Sequence, residues 1–346
     1  MTTGSLANLE PAFELARLVA GVWVPHAIHA AATLGVADGL AGGAQSAAAL
    51  AARLGVHADG LHRLLRSLAA IGVCRSLDGD RFELTAMGDC LRADSPRSIR
   101  SWALLIGTDT MRQTWAGLID AVRTGEAMTD RPAGFEPFRF LTSQRPDYAA
   151  NFYAAMNELT ELAAASVVEA YDFSKFGTIV DVGGGHGALL AAVLRATPTA
   201  RGVLFDLPHR REAATAFAGA QGIADRWTFE AGTFFESVPP GGDAYLLKSV
   251  IHDWNDEESL EILSRCRAAM APDARLLLIE MVIPDSVQPT PRDAVILGTD
   301  LGLLAMLSGR ERTAQAYHTL LGQAGFRVSR RILTSSAFDV IEAYPS

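Results

Sequence analysis

The run Thr178-Ile179-Val180-Asp181-Val182 leads directly into Gly183-Gly184-Gly185-His186-Gly187, and Ala188 to Arg195 then reads as helix. A β-branched strand, a glycine turn and a helix open a nucleotide-binding α/β unit. Glycine after a strand also answers purely steric needs, so the flanking acids carry the argument. The spacing is Gly183-x-Gly185-x-Gly187, not the G-x-G-x-x-G that seats a pyrophosphate on a helix N-terminus. Asp181, two residues before the first glycine, would repel phosphate and attract an ammonium group. Asp206 stands 25 positions after Asp181, at the end of the next strand, Gly202 to Phe205, where it is placed to accept both hydroxyls of a ribose. A ligand with a ribose, a cationic amino-acid portion and no phosphate is S-adenosylmethionine. Two other readings stand beside it: both acids as helix or turn caps, and a nicotinamide dinucleotide as the ligand.

The segment Lys248 to Glu258 follows the strand Ala244 to Leu247, at the carboxyl end of the sheet, where open α/β folds bind ligands. Of the eight histidines, His26 and His29 lie in an apolar helix, His57, His62, His209 and His318 read as surface or helix positions, and His186 shapes the glycine loop. His252 remains as the candidate base, beside the plain alternative of a structural histidine. A sulfonium methyl is already activated, so transfer needs alignment, a nucleophile and proton removal, and no metal. A phenol is only about one part in a thousand ionised at pH 7, whereas imidazole is mostly free base there. Asn255 or Asp256 caps the helix beginning at Glu257-Glu258, so part of this cluster starts a helix.

A chain of 346 residues, 49% hydrophobic and 20% charged, is globular and long enough for two domains at roughly 150 residues each. Its net charge of −9 and pI near 5.4 argue against a surface built for nucleic acid or membrane. No window is expected to approach the 18 or more apolar residues that a spanning helix requires, and the opening MTTGSLANLEPAFELAR has no basic n-region followed by an apolar stretch. The expectation is a cytoplasmic protein. Cys74, Cys90 and Cys266, odd in number and far apart, support neither a disulfide framework nor a cysteine metal site. Only Lys175 and Lys248 are lysines among 30 basic residues, so a lysine at a strand end invites a question.

The elements that must position these residues fall into three zones. From Pro11 to about Leu40 apolar residues recur at helical spacing, on helices that need a partner in the chain or on a second subunit. Ser46 caps a helix to about Leu54, Gly55 breaks it, and His57 to Ile71 carries a second stripe. Val73 to Ser76 and Arg81 to Leu84 flank a turn at Leu77-Asp78-Gly79-Asp80, a hairpin signal. Together these suggest a winged helix, which raises a DNA-binding regulator as a rival. Residues 1–100 hold nine Arg against nine Asp and Glu, without the positive excess a phosphate backbone selects. Dimer packing is preferred. Residues 100 to 170 continue as helix, with loops at Gly125 and Arg131-Pro132-Ala133-Gly134 and apolar bulk from Phe138, Phe140, Phe152, Tyr153 and Met156. The third zone alternates strand and helix: Trp227 to Phe229 and Arg275 to Ile279 complete five apolar strands of a covered parallel sheet, and Phe326 to Val328 with Phe338 to Glu342 make an antiparallel edge pair.

The order Asp181-Val-Gly-Gly-Gly-His-Gly187, Phe205-Asp206-Leu207-Pro208, Lys248 to His252-Asp253-Trp254, Ile279-Glu280 and Gly309-Arg310-Glu311-Arg312-Thr313 resembles the plant-type, caffeic acid-like small-molecule O-methyltransferases, a family with many bacterial members. The resemblance covers nearly the whole chain. It implies an α/β fold with a Rossmann-like class I methyltransferase sheet over 171–346, a helical substrate-covering segment over 101–170, and an N-terminal winged-helix dimerisation domain over 1–100. The family's general base matches His252, and the glutamates that flank and orient it match Glu280 and Glu311. Its cofactor contacts map to the loop glycines Gly183, Gly184 and Gly185, to Asp206 and Leu207 for the ribose, and to Lys248 near the adenine; Asp181 and Phe234 are further candidate cofactor contacts.

One departure stands out, because the family commonly has Gly-Asp-x-Phe after its third strand and this chain has Gly232-Thr233-Phe234-Phe235. Thr233 accepts a hydrogen bond but brings no charge, so somewhat weaker cofactor affinity is expected. Asp253 is a candidate acceptor contact. Trp115, Phe152, Met156 and Met306 are candidate lining for a flat aromatic, each equally suited to plain core packing. The resemblance implies a homodimeric S-adenosylmethionine-dependent O-methyltransferase, without a metal, acting on a phenolic or enolic hydroxyl of an aromatic natural product and yielding S-adenosylhomocysteine. Relatives that bind the cofactor yet hydroxylate or decarboxylate remain an alternative.

Overall fold

Ser46, Gly55 and Gly79 punctuate the N-terminal chain where the sequence places them. The computed structural model describes residues 10–126, 145–307 and 309–346. Ser46 Oγ accepts the Ala49 amide at 3.2 Å and starts the helix Ala47–Leu54; Gly55, at φ +68°, ends it. The next helix, Ala58–Ala70, buries Leu61, Leu65 and Leu68 on one stripe. Strands β1 (Gln45–Ser46), β2 (Cys74–Leu77) and β3 (Arg81–Leu84) form an antiparallel sheet in the order β1-β3-β2, with Cys74 opposite Leu84. Gly79 and Asp80, both left-handed, make the turn between β2 and β3.

Upstream lie the helices Pro11–Ala20 and Trp23–Leu34. Phe13, Leu15, Leu18 and Val19 on the first are 60–72% exposed. By length and mean hydropathy the stretch Pro11–Leu34 is long and apolar enough to cross a membrane, which corrects the expectation of no such window. Counting unbroken apolar residues missed it, since a mean tolerates Glu14, Arg17 and His26. The two helices are separated at Gly21 and Val22.

The helices Arg100–Ile106, Asp109–Ala116, Leu118–Thr124 and Pro146–Ala170 follow. The expected loop Arg131-Pro132-Ala133-Gly134 and the aromatics Phe138 and Phe140 lie outside the described residues. By internal contacts the chain divides into two compact units, residues 10–112 with 145–158, and 113–126 with 159–346.

In the second unit, β4 (Thr178–Val182), β5 (Arg201–Asp206), β6 (Trp227–Ala231), β7 (Ala244–Lys248), β8 (Arg275–Ile283), β10 (Phe326–Leu333) and β11 (Phe338–Pro345) form one sheet in the order β10-β11-β8-β7-β4-β5-β6, and the short β9 (Arg312–Thr313) pairs with β8. The central strands are parallel, while β11 runs antiparallel to β8 and β10 antiparallel to β11. Alternate residues serve two cores. Ile179, Leu204, Leu246 and Leu277 pack on one face, Val180, Tyr245, Leu247 and Leu276 on the other. A sheet covered on both faces explains why its strands read as apolar runs rather than alternations. β8, β10 and β11 each run several residues beyond the expected strand ends. The carboxyl ends of β4, β5, β7 and β8 carry the chemistry.

Candidate active site

The glycine turn after β4 folds over the acid that precedes it. Asp181 is 1% exposed, beneath the loop, and a Cβ at Gly184 would collide with its carboxylate and with Leu204. Burial, reinforced by Asp206, pushes the Asp181 carboxyl up to about 7, while the Leu190 amide holds it down. On the neighbouring strand, Asp206 Oδ2 accepts the Gly185 amide at 2.8 Å and Oδ1 accepts the Leu207 amide at 2.7 Å. Burial raises the Asp206 carboxyl as well, opposed by those two amides and by Arg210. Beyond β6, Thr233 Oγ1 accepts the Phe235 amide at 3.4 Å. Phe234 meets Trp254 edge-on with ring centroids 6.0 Å apart, and its ring would touch a Cβ at Gly183.

The His252 turn is built by main chain and acids together. β7 ends at Lys248, and Ser249 takes a left-handed φ of +54°, a strained conformation of the kind that persists where surrounding structure enforces it. That bend turns the amides of Val250 and Ile251 onto Glu280 Oε1, at 3.2 and 2.9 Å. A 3-10 turn over Ile251–Asp253 follows, and Asn255 closes a capping box with Glu258 to start the helix Asp256–Ala269. His252, 9% exposed, has Nδ1 2.9 Å from Glu311 Oε1 and 3.8 Å from Glu280 Oε2, with Nε2 3.5 Å from Asp253 Oδ1. Burial disfavours the imidazolium, but the carboxylates of Glu311, Asp253 and Glu280 outweigh it and raise His252 to about 10. Burial lifts Glu280 to about 7 against the pull of His252.

Lys248 stands between the two clusters. Its ammonium donates to Thr160 Oγ1 at 3.2 Å and lies 4.4 Å from the Phe338 ring centroid. Burial lowers it to about 8, opposed by Glu280, Asp181, Asp253 and Glu311. Among the described residues, Asp181 Oδ2, Glu280 Oε2 and Glu311 Oε2 are buried carboxylate oxygens without a hydrogen-bond partner. Such groups are expensive unless a cation or donor meets them. They fit a cofactor that is itself a cation. His252, Glu280 and Glu311 also bring ligand-type atoms within 4.8 Å of one another, a spacing that a metal ion accepts as well.

Trp115 and Met306 come together in the second unit, where a Cβ at Gly302 would lie 3.9 and 3.7 Å from them. Phe152 and Met156 sit half-buried on the part of the helix Pro146–Ala170 that belongs to the first unit. Two neighbours of the His252 turn have no role assigned from sequence, although Arg312 is part of a motif that carries the resemblance. Asp300, on the helix Pro291–Met306, accepts the Glu311 amide at 2.9 Å, and Arg312 is buried against the His252 turn. The place of Arg312 in the Gly309 to Thr313 motif was the available signal, but sequence carries no sign of its burial.

Sheet order, glycine turn and acid at the end of the next strand together define a class I methyltransferase. A model for an O-methyltransferase domain matches residues 115–327 and one for an O-methyltransferase dimerisation domain matches residues 16–94. A phenazine O-methyltransferase of Lysobacter antibioticus is 37% identical over the whole of both chains. The O-demethylpuromycin-O-methyltransferase of Streptomyces alboniger is 40% identical over 87% of this chain and 80% of its own. The human N-acetylserotonin methyltransferase solved with S-adenosylmethionine superposes with a TM-score of 0.87 at 28% identity, covering 100% of each chain. Relatives include N-methyltransferases too. The chain belongs to the O-methyltransferase family and is an S-adenosylmethionine-dependent methyltransferase with an N-terminal dimerisation domain.

Proposed function

We propose that the protein methylates a phenolic or enolic hydroxyl of an aromatic natural product, with His252 as general base. The observation that carries this reading is the 2.9 Å contact between Glu311 Oε1 and His252 Nδ1, which favours a proton on Nδ1 and so supports Nε2 as the basic nitrogen. Bound S-adenosylmethionine supplies an electrophilic methyl group on a sulfonium. Asp206 takes the ribose hydroxyls on the lone pairs its two amide contacts leave free, with Leu207 beside it and Thr233, Phe234 and Lys248 toward the adenine. Gly183, Gly184 and Gly185 let the main chain approach the methionine portion, and Asp181 sets the charge beneath it. Nε2 of His252 receives the acceptor proton, and Glu311 stabilises the imidazolium that forms. With a conjugate acid near 10, His252 matches a phenol in basicity, and a cation arriving beside these carboxylates returns it toward the free base.

Asp253 contacts the acceptor near Nε2, and Trp115, Phe152, Met156 and Met306 line its ring. No metal takes part. The dimerisation segment spans 1–100, the substrate-covering segment 101–170 and the catalytic domain 171–346, in a cytoplasmic homodimer that engages neither nucleic acid nor membrane. The exposed face of Phe13, Leu15, Leu18 and Val19 is the surface a second copy covers.

Isothermal titration with S-adenosylmethionine and S-adenosylhomocysteine, followed by mass spectrometry of phenolic acceptors, tests the reading. Binding at the micromolar level, about −8 kcal/mol, and a gain of one methyl on oxygen are expected. A product gaining oxygen or losing carbon dioxide would replace methyl transfer with hydroxylation or decarboxylation, and methyl on nitrogen would move the acceptor class.

A further inference from the structure

Arg312 is 3% exposed, and its guanidinium is spent on the turn that bears the base. Nη1 donates to the Ile251 carbonyl at 2.9 Å and Nη2 to the Trp254 carbonyl at 2.9 Å, the two ends of the turn around His252. Nη2 and Nε also bind Asp256 Oδ1, at 2.7 and 3.1 Å, and Nη2 reaches Ser259 Oγ at 3.3 Å. The residues before it grip the same turn. The Arg310 amide donates to the His252 carbonyl at 2.8 Å, Glu311 holds the ring, and a Cβ at Gly309 would collide with the His252 carbonyl oxygen. Arg312 pairs with Val282 in the β8–β9 ladder, two residues beyond Glu280, so one strand pair sets the positions of Glu280, Glu311 and Arg312.

We propose that Arg312 is a positioning residue for the reaction, fixing the direction of His252 Nε2 by holding both carbonyl ends of its turn. A planar fork of donors suits that task, because two carbonyls held by one rigid group have a fixed separation. Lysine, whose three donors share one nitrogen on a flexible stem, does not fix that separation. The device acts through the backbone, where Glu311 acts through the ring. The inference rests on His252 being the base.

The test compares full-length Arg312→Lys and Asp256→Asn with the parent protein, following kcat, the KM of the cofactor, S-adenosylhomocysteine affinity, the pH–rate profile and melting. Asp256 is 65% exposed at its side chain, so its variant folds even where a change at the buried arginine does not. Arg312→Lys is expected to lower kcat by about 10- to 100-fold, the scale of a misplacement near 1 Å, with the pH–rate profile displaced and cofactor affinity unchanged. Asp256→Asn leaves the carbonyl contacts in place and gives a smaller loss in the same direction. Either variant losing cofactor affinity and melting temperature in proportion to kcat, or Asp256→Asn with unchanged kcat and pH profile, overturns the proposal. His252→Ala separates the two levels: retained turnover there removes the base itself, whereas an inactive His252→Ala beside fully active arginine and aspartate variants removes only the positioning role.

Discussion

Replacing Glu311 by glutamine removes a charge and almost nothing else. Its Oε1 lies 2.9 Å from His252 Nδ1, and at an effective dielectric constant near 20 a pair of unit charges at that distance attracts by about 6 kcal/mol. At about 1.4 kcal/mol per pH unit, this bounds the fall in the His252 pKa at about four units. Glu280 at 3.8 Å and Asp253 at 3.5 Å remain, so the value drops from about 10 without reaching that of a solvated imidazole. Two effects then oppose one another. More of the base is free at neutral pH, but it is weaker, and the amide can present its NH2 to Nδ1 and leave the proton on Nε2, the wrong nitrogen. Orientation wins, because a wrong tautomer offers no lone pair to the acceptor at any pH. In a mass-spectrometric methyl-transfer assay over roughly pH 6 to 10.5, kcat should fall by about 10²–10⁴. The acidic limb should move to lower pH, while the cofactor KM stays put. A variant within about threefold of the parent, with an unmoved limb, would refute the electrostatic role of Glu311.

Asp206→Ala deprives the ribose of its acceptor and the Gly185 and Leu207 amides of theirs, so S-adenosylhomocysteine should bind about 10- to 100-fold more weakly by calorimetry; unchanged affinity means the ribose lies elsewhere. Asp181, raised to about 7 by burial, contributes stability below its unfolded pKa near 4 and loses it as pH rises through 7. Asp181→Asn should therefore melt a few degrees higher than the parent at about pH 8 and no higher at about pH 5, and a pH-independent difference would contradict the assigned burial cost. Dialysis against a chelator should leave turnover unchanged, and activity restored only by added divalent metal would assign the His252, Glu280 and Glu311 cluster to an ion.

The parts legible in sequence were those written locally. Ser46, Gly55 and the Asp78-Gly79-Asp80 turn announced the N-terminal elements, since capping and left-handed turns are decided within a few residues. Asp181 and Asp206 were readable because strand ends in an α/β unit follow one another at regular intervals. The resemblance supplied Glu280 and Glu311, and the structure sets both beside His252, 28 and 59 positions away. Arg312 and Asp300 were not legible, because their partners lie 53 to 61 positions away for the arginine and 11 for the aspartate, and a side-chain hydrogen bond leaves no periodic trace. The environment of His252 was not legible for a related reason. An imidazole taken at its solution pKa is mostly free base at neutral pH, whereas three carboxylates around a buried ring favour the cation.

The Asp300 carboxylate gives the helix Pro291–Met306 a second role. The same helix that brings Gly302 and Met306 to Trp115 also carries the oxygen that holds the Glu311 main chain. Under the proposed function, one helix would thus serve recognition and proton transfer at once. Reshaping the rod for a bulkier acceptor moves the support of the base with it, so changes of acceptor at Gly302 or Met306 should carry a kinetic penalty that a compensating change near Asp300 can relieve. With the acceptor seated as proposed, the helix is a lever with the ring of the acceptor at one end and the support of Glu311 at the other.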